Sequence, residues 1–144
     1  MTKESGVVSA TAADLAEPRP SPDQESAHYW AELNEHHIVV QVCSACGRRR
    51  FPPTPACPYC AEPESRWERI EGTGTVYSYI VVHRAFDPAF AGEVPYAIAT
   101  IDFDGGGRIV ARTTERPVIG ARMRPEFVPH HGWTELRFAP LPDR

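Results

Sequence analysis

The stretch "CSACGRRRFPPTPACPYC" (residues 43–60) contains all four cysteines of a 144-residue chain. They stand as two C-x-x-C pairs, Cys43/Cys46 and Cys57/Cys60, with ten residues between the pairs. A C-x-x-C pair curls into a tight turn that aims both sulfurs at one point, and two such turns face to face offer four thiolates in a tetrahedron. Gly47 follows the first pair, where such a turn takes positive φ, and Pro58 stiffens the second. A thioredoxin-like redox pair would show one C-x-x-C inside a βαβ pattern, and neither condition holds. The N-terminal run "MTKESGVVSATAADLAEPRPSPDQ" has no basic start followed by an apolar core. It does not read as a secretory signal. The expected setting is cytoplasmic, where thiols stay reduced, and this weakens a disulfide reading. The spacing therefore points to a metal site. Four thiolates suit zinc or iron. With every position filled by protein the site is closed, and a closed site is structural.

Outward from the cysteines, 42% hydrophobic residues suffice for a modest core, and fifteen prolines with ten glycines favour turns over long helices. No apolar run approaches the length of a bilayer span. Residues 1–24, rich in Ser, Ala, Pro and Glu, read as a disordered lead. In "SAHYWAELNEHHIVVQV", Ser26 is a candidate cap, and Tyr29, Trp30 and Leu33 recur at helical spacing, which predicts a helix over 26–36. His36 and His37 close it, and "HIVVQV" reads as a strand entering the first cysteine turn. Helix and entry strand occupy 25–40, the metal ribbon 41–70 and a β unit 71–144.

In that last unit the period is two. Strands are predicted at 75–84, 96–103, 108–114, 121–128 and 133–140, separated by turn signals such as "DGGG". Gly72 and Gly74 mark a bend or bulge before them. Five short antiparallel strands can close as a small barrel. Alternation points Val76, Ile80, Val82, Ile98, Ile109 and Phe127 inward, subject to a one-residue slip that would exchange the faces. The expected fold is mainly β: a short helix, a zinc ribbon and a five-stranded antiparallel barrel.

The segments "HYWAEL", "CSACGRRRFPPTPACPYC" and "GTGTVYSYIVVHRAFDPAFAGEVPYAIATIDFDGG", in that order, resemble the DUF35 family over about residues 27–140. The cysteine turns themselves resemble the knuckles of rubredoxin. The family resemblance implies a rubredoxin-like zinc ribbon followed by an OB-fold barrel, with Cys43, Cys46, Cys57 and Cys60 holding a structural Zn2+. It also implies a role beside thiolase-fold enzymes that act on acyl-CoA thioesters, including acyltransferases and aldolases that shorten steroid side chains. This chain would be the non-catalytic small subunit. It would help to form the entrance for the coenzyme A thioester, in an assembly of two copies with two partner subunits.

The residues themselves supply candidates for such contacts. "RAFDPAFAGEVPY" is an apolar loop between strands, where Phe86, Phe90 and Val94 either fold back on the barrel mouth or dock on a partner. With Tyr29 and Trp30 of the helix, and His83, Arg84 and Tyr96 at the loop ends, they form the candidate partner interface. Arg48, Arg49 and Arg50 either solvate a hairpin tip or contact the phosphates of coenzyme A. His130 and His131 beside Gly132 read as exposed turn residues. No catalytic residue is expected, since every cysteine is spent and no nucleophile is paired with a base.

Two other function classes remain. OB barrels and zinc ribbons also bind nucleic acid. A phosphate-neutralising surface needs a basic balance. This chain carries a formal charge of −4, and the acids Glu68, Glu71, Asp87, Glu93, Asp102 and Asp104 run through its β region. A stand-alone electron carrier would need iron in the four-thiolate site. The accessory-subunit reading is the one expected, without nucleic acid or membrane partners.

Overall fold

The computed structural model describes residues 18–142. The expectation of a disordered lead falls mostly outside them, on residues 1–17. Helix α1 spans Ala27–Asn34 and turns Tyr29 and Leu33, one turn apart, into the core. Ser26 precedes it, but its side chain does not cap α1. It accepts from the Asp23 N–H (3.1 Å) and donates to Asp23 Oδ1 (2.6 Å), forming a closed turn ahead of the helix. At the other end His36 takes φ 60°. The His36 and His37 N–H groups donate to the Leu33 and Glu32 carbonyls at 3.0 and 2.9 Å. This is a Schellman closure, with histidine in the place usually held by glycine.

A three-stranded sheet follows, ordered β2-β1-β3: β1 Ile38–Cys43, β2 Arg49–Arg50 and β3 Ser65–Ile70, all antiparallel. Every residue of β1 is buried, as a central strand with an unbroken "IVV" run should be. The second sheet is ordered β6-β5-β4-β7-β8: β4 Gly74–Val82, β5 Tyr96–Phe103, β6 Arg108–Arg112, β7 Arg122–His130 and β8 Trp133–Pro140. One core joins α1 and both sheets. Leu33, Val40, Val76, Ile101, Met123 and Phe138 all lie in it, and Phe51 packs on it from the ribbon.

The expected closed barrel does not form. The outer strands β6 and β8 are not ladder neighbours. They meet at one isolated parallel bridge, Thr113 with Phe138, beside which the Thr114 N–H donates to the Phe138 carbonyl at 2.9 Å. β6 ends at Arg112 and the chain bends at Thr114 and Glu115, so its contact with β8 stops at that bridge. Among the described residues the molecule is mainly β, with one N-terminal α-helix, a four-cysteine cluster and a sheet left open between β6 and β8.

The predicted inward residues also divide. Val76 and Ile109 are buried, at 1% and 6% exposure, but Ile80 is 62% exposed. The pairing of β4 with β5 shifts register between Val76 and Ser78. One extra residue there turns Tyr77 outward and exchanges the faces beyond it. Tyr79 then packs on the core, while Ile80, and Val82 with it, take the other face. Ile98 pairs with Ile80 on that face, because Ala97, Ala99, Ile101 and Phe103 are the buried set of β5. Gly74 sits where a side chain has no room: a Cβ there would run into the Asp102 carbonyl of β5 and lie 2.8 Å from Ile101 Cγ2. The backbone approaches this closely only at glycine.

Candidate functional site

The two cysteine turns are built alike. In the first, the Gly47 N–H donates to the Cys43 carbonyl (3.1 Å) and the Cys43 N–H to the Arg48 carbonyl (2.9 Å). In the second, the Ala61 N–H donates to the Cys57 carbonyl and the Cys57 N–H to the Glu62 carbonyl, both at 2.8 Å. Gly47 and Ala61 occupy equivalent places and take φ 73° and 68°. The alanine accepts the strain that the glycine avoids.

These turns bring the sulfurs of Cys43, Cys46, Cys57 and Cys60 within 4.8 Å of one another. Sγ of Cys43 and Cys60 are 3.6 Å apart, and those of Cys46 and Cys57 3.7 Å. A tetrahedral zinc with bonds of about 2.3 Å would set its sulfurs roughly 3.8 Å apart. The donor set and its spacing therefore fit a four-thiolate metal. The thiols already divide by their surroundings. The Cys46 N–H holds Cys43 below the usual thiol range. Burial pushes Cys57 up, but the N–H groups of Tyr59 and Cys60 and the neighbouring thiols outweigh it and bring it to about 6. Cys60 accepts from the Glu62 N–H, which lowers it, yet the crowding thiols and burial push it up to about 11. Four sulfurs this close do not all ionise without a cation among them.

The three arginines of the "RRR" run are placed differently. Arg48 points out and lies 4.6 Å over the Tyr59 ring. Arg49 engages the Glu68 carboxylate and donates to the Asp104 carbonyl at 3.0 Å. Arg50 is buried at 3% exposure, with Nε on Gln41 Oε1 at 3.0 Å. Strand pairing aims neighbouring side chains to opposite faces, so the three guanidinium groups never converge on one phosphate.

The proposed interface divides as well. Tyr29 is 5% exposed and packs edge-on against Phe51, 5.1 Å between ring centres, so it belongs to the core. Burial pushes its phenol up from the ordinary value. Trp30 is half-buried and meets Trp133 edge-on at 6.2 Å. His83 and Arg84 lie exposed just past β4, and Arg84 is 5.5 Å over Phe86. Phe86 is 87% exposed, the most exposed large apolar side chain among the described residues. Phe90 and Val94 are half-buried, and Phe90 leans on Tyr96 at 6.0 Å.

Sequence reading missed one concave surface. A groove of about 660 Å³ opens where β6 and β8 part, between Val110 and Arg112 on one side and Trp133, Glu135 and Arg137 on the other. Arg137 donates to both Glu135 oxygens, at 2.7 and 3.0 Å, and His130 lies 2.8 Å from Glu135 Oε1. His130 also stacks on Trp133 at 4.4 Å, so it is a wall of this groove and no free turn residue. The signal was present in "WTELRF": with Thr134, Leu136 and Phe138 inward, Trp133, Glu135 and Arg137 must share the other face.

Comparison with known proteins matches two family models to the chain: "ChsH2, rubredoxin-like zinc ribbon domain" at residues 30–65 and "ChsH2, C-terminal OB-fold domain" at residues 67–128. A "probable enoyl-CoA hydratase alpha subunit" of Thermomonospora curvata is 40% identical over 95 residues, 65% of this chain. A "3-oxo-4,17-pregnadiene-20-carboxyl-CoA hydratase alpha subunit" of Mycobacterium tuberculosis is 28% identical over 126 residues, 85% of this chain. The chain spans only 28% and 40% of the lengths of these two relatives. A solved structure described as "Ltp2-ChsH2(DUF35) aldolase" superposes with a TM-score of 0.75 at 31% identity, covering 85% of this chain and 98% of that one.

Proposed function

Because the chain belongs to the DUF35/ChsH2 family, we propose that it is the non-catalytic small subunit of a thiolase-fold enzyme that makes or breaks a C–C bond in an acyl-CoA thioester. The observation that carries this reading is the superposition on 98% of a chain described as part of an aldolase. The favoured reaction is retro-aldol cleavage of a steroid side-chain CoA ester. Its support is that aldolase, together with a relative described as acting on a pregnadiene carboxyl-CoA.

The residues of this chain would act by shape. Cys43, Cys46, Cys57 and Cys60 would hold one Zn2+ in a closed set, and the metal would supply a fixed fold rather than an open position for substrate. A reducing cytoplasm would keep those thiols available. Phe86, standing clear of the sheet beside Arg84, is the favoured anchor for the partner, since aromatic residues and arginine concentrate at interface cores. A thiolase-fold dimer would take two copies of this chain about its two-fold axis. The catalytic nucleophile and base would lie on the partner.

The test is co-expression with a thiolase-fold partner, followed by assay with CoA thioesters. Co-purification in a two-plus-two assembly, with turnover only when both chains are present, is expected. Turnover by this chain alone, or an active partner that neither binds nor needs it, overturns the reading.

A further inference from the structure

The groove between β6 and β8 is lined on its walls by Trp30, Phe90, Tyr96, Ile98, Val110 and Trp133. Val110 is 68% exposed, a β-branched side chain that the open seam leaves uncovered. At one end the groove shares Tyr96, Arg112 and Arg137 with a second recess of about 330 Å³, which adds His83, Glu115 and Arg116. An apolar channel thus runs into an arginine-rich end.

The charges at that end are not all spent. Arg112 is paired with Glu93 at 3.1 Å and lies 4.3 Å over Tyr96. Arg137 is paired with Glu135 at 2.7 Å. Both are held still by these pairs and keep further N–H donors, since a guanidinium has five. Arg116 donates to the Tyr79 hydroxyl at 3.2 Å, a neutral acceptor, so its charge is not neutralised by that bond. With Glu93 and Glu135, the Glu115 carboxylate that borders the recess matches these three arginines in number, and Arg19 on the groove wall leaves one cation in excess.

We propose that this seam binds an amphiphilic anion, with an apolar chain or ring system lying against Val110, Ile98 and Trp133 and its oxyanion held among Arg112, Arg116 and Arg137. Charge complementarity selects the occupant: a neutral apolar segment would leave Arg116 with only its neutral tyrosine acceptor, and a bare anion would leave the aromatic walls wet. Carboxylates, phosphates and acyl-CoA thioesters share this chemistry. The site deepens the acyl-CoA reading given above and rests on it for its biological ligand. It belongs wholly to this chain, so it is tested without the partner.

The experiment is calorimetric titration of the full chain with octanoate, octyl phosphate, octanoyl-CoA and octanol. One site per chain is expected, with at least one of the three anions bound roughly tenfold or more tightly than octanol, the factor worth one charge-assisted hydrogen bond. The preferred anion identifies the head group. Arg116→Gln should bring that anion to the level of octanol while leaving octanol unchanged. Val110→Glu, at an exposed position, should weaken all four ligands with the melting temperature intact. Binding of none of the three anions below millimolar concentration overturns the proposal. So does an anion preference that survives Arg116→Gln, or binding indifferent to Val110→Glu. If the groove takes no small anion but Val110 becomes protected from solvent in the partner complex, a protein segment is the occupant and the proposal fails.

Discussion

Arg49 ties the cysteine ribbon to the second sheet through Asp104: its guanidinium donates to the Asp104 carbonyl at 3.0 Å while also engaging Glu68 of β3. The glycine turn after Asp104 packs around this side chain, since a Cβ on Gly105 would collide with the guanidinium and one on Gly106 would touch the Arg49 Cβ at 3.4 Å. Beside it Phe51 meets Phe103 edge-on at 5.8 Å. Ribbon and sheet are therefore joined both by polar and by aromatic contact.

Replacing Cys43 by serine is expected to remove the metal and to cost at least about 4 kcal/mol, in the range set by loss of a structural metal. Since the core is shared, one cooperative transition should shift as a whole. Metal content by elemental analysis, read with thermal unfolding followed at both the near- and far-ultraviolet, checks this. A red iron chromophore in native protein would replace zinc by iron.

Phe51→Ala should destabilise by about 3 kcal/mol, the lower end for a phenylalanine because the ring is only half-buried. Urea denaturation measures it. A loss below about 1 kcal/mol would mean that the ribbon and sheet do not lean on this ring.

Gly74→Ala, which would stabilise an ordinary strand, should here cost about 2–3 kcal/mol by pushing β5 away at the Asp102 carbonyl. The same denaturation series decides it, with Gly92→Ala, which meets nothing within 4 Å, as the control.

Phe86→Ser should change stability by less than about 0.5 kcal/mol, since the ring is 87% exposed. It should weaken assembly with the proposed thiolase-fold partner at least roughly tenfold if this ring is an interface anchor. Thermal melting and analytical ultracentrifugation read the two effects separately.

Glu135 sets a pH dependence. Burial pushes its carboxyl up, but Arg137 and His130 outweigh that and hold it below the ordinary value of 4.5. A carboxyl depressed in the folded state stabilises above its unfolded pKa, and that contribution disappears as pH falls through the folded value. Wild type should thus exceed Glu135→Gln in melting temperature at pH 7, and the gap should close below pH 4.5. A gap independent of pH would mean the pair contributes through packing alone.

The cysteine cluster was legible because C-x-x-C spacing acts locally: each turn closes by its own backbone bonds. Strand positions were legible for the same reason, through alternation and turn residues. The failures are non-local. Nothing in "GTVYSYIVV" marks Tyr77 as an extra residue, because a bulge is defined by the partner strand. In "YAIATIDF" apolar side chains fall on both faces, so alternation alone cannot choose between Ile98 and Ala99. Closure of the barrel depended on whether β6 would meet β8, a pairing between strands well separated in the chain. The differing placement of Arg48, Arg49 and Arg50 was not legible either, because sequence shows adjacency and hides the pleat.

The shared core also bears on heredity. A zinc ribbon that carried its own core could be exchanged between genes as a cassette. This one cannot, because Phe51 fills space against Tyr29 and Phe103, and Ile70 and Trp67 pack on the same cluster. Recombination inside the chain would split one interior into two incomplete halves. The unit that can be transplanted intact therefore runs from the helix to β8, and chimeras joined between Ile70 and Gly74 should fail to fold even when both parents are stable.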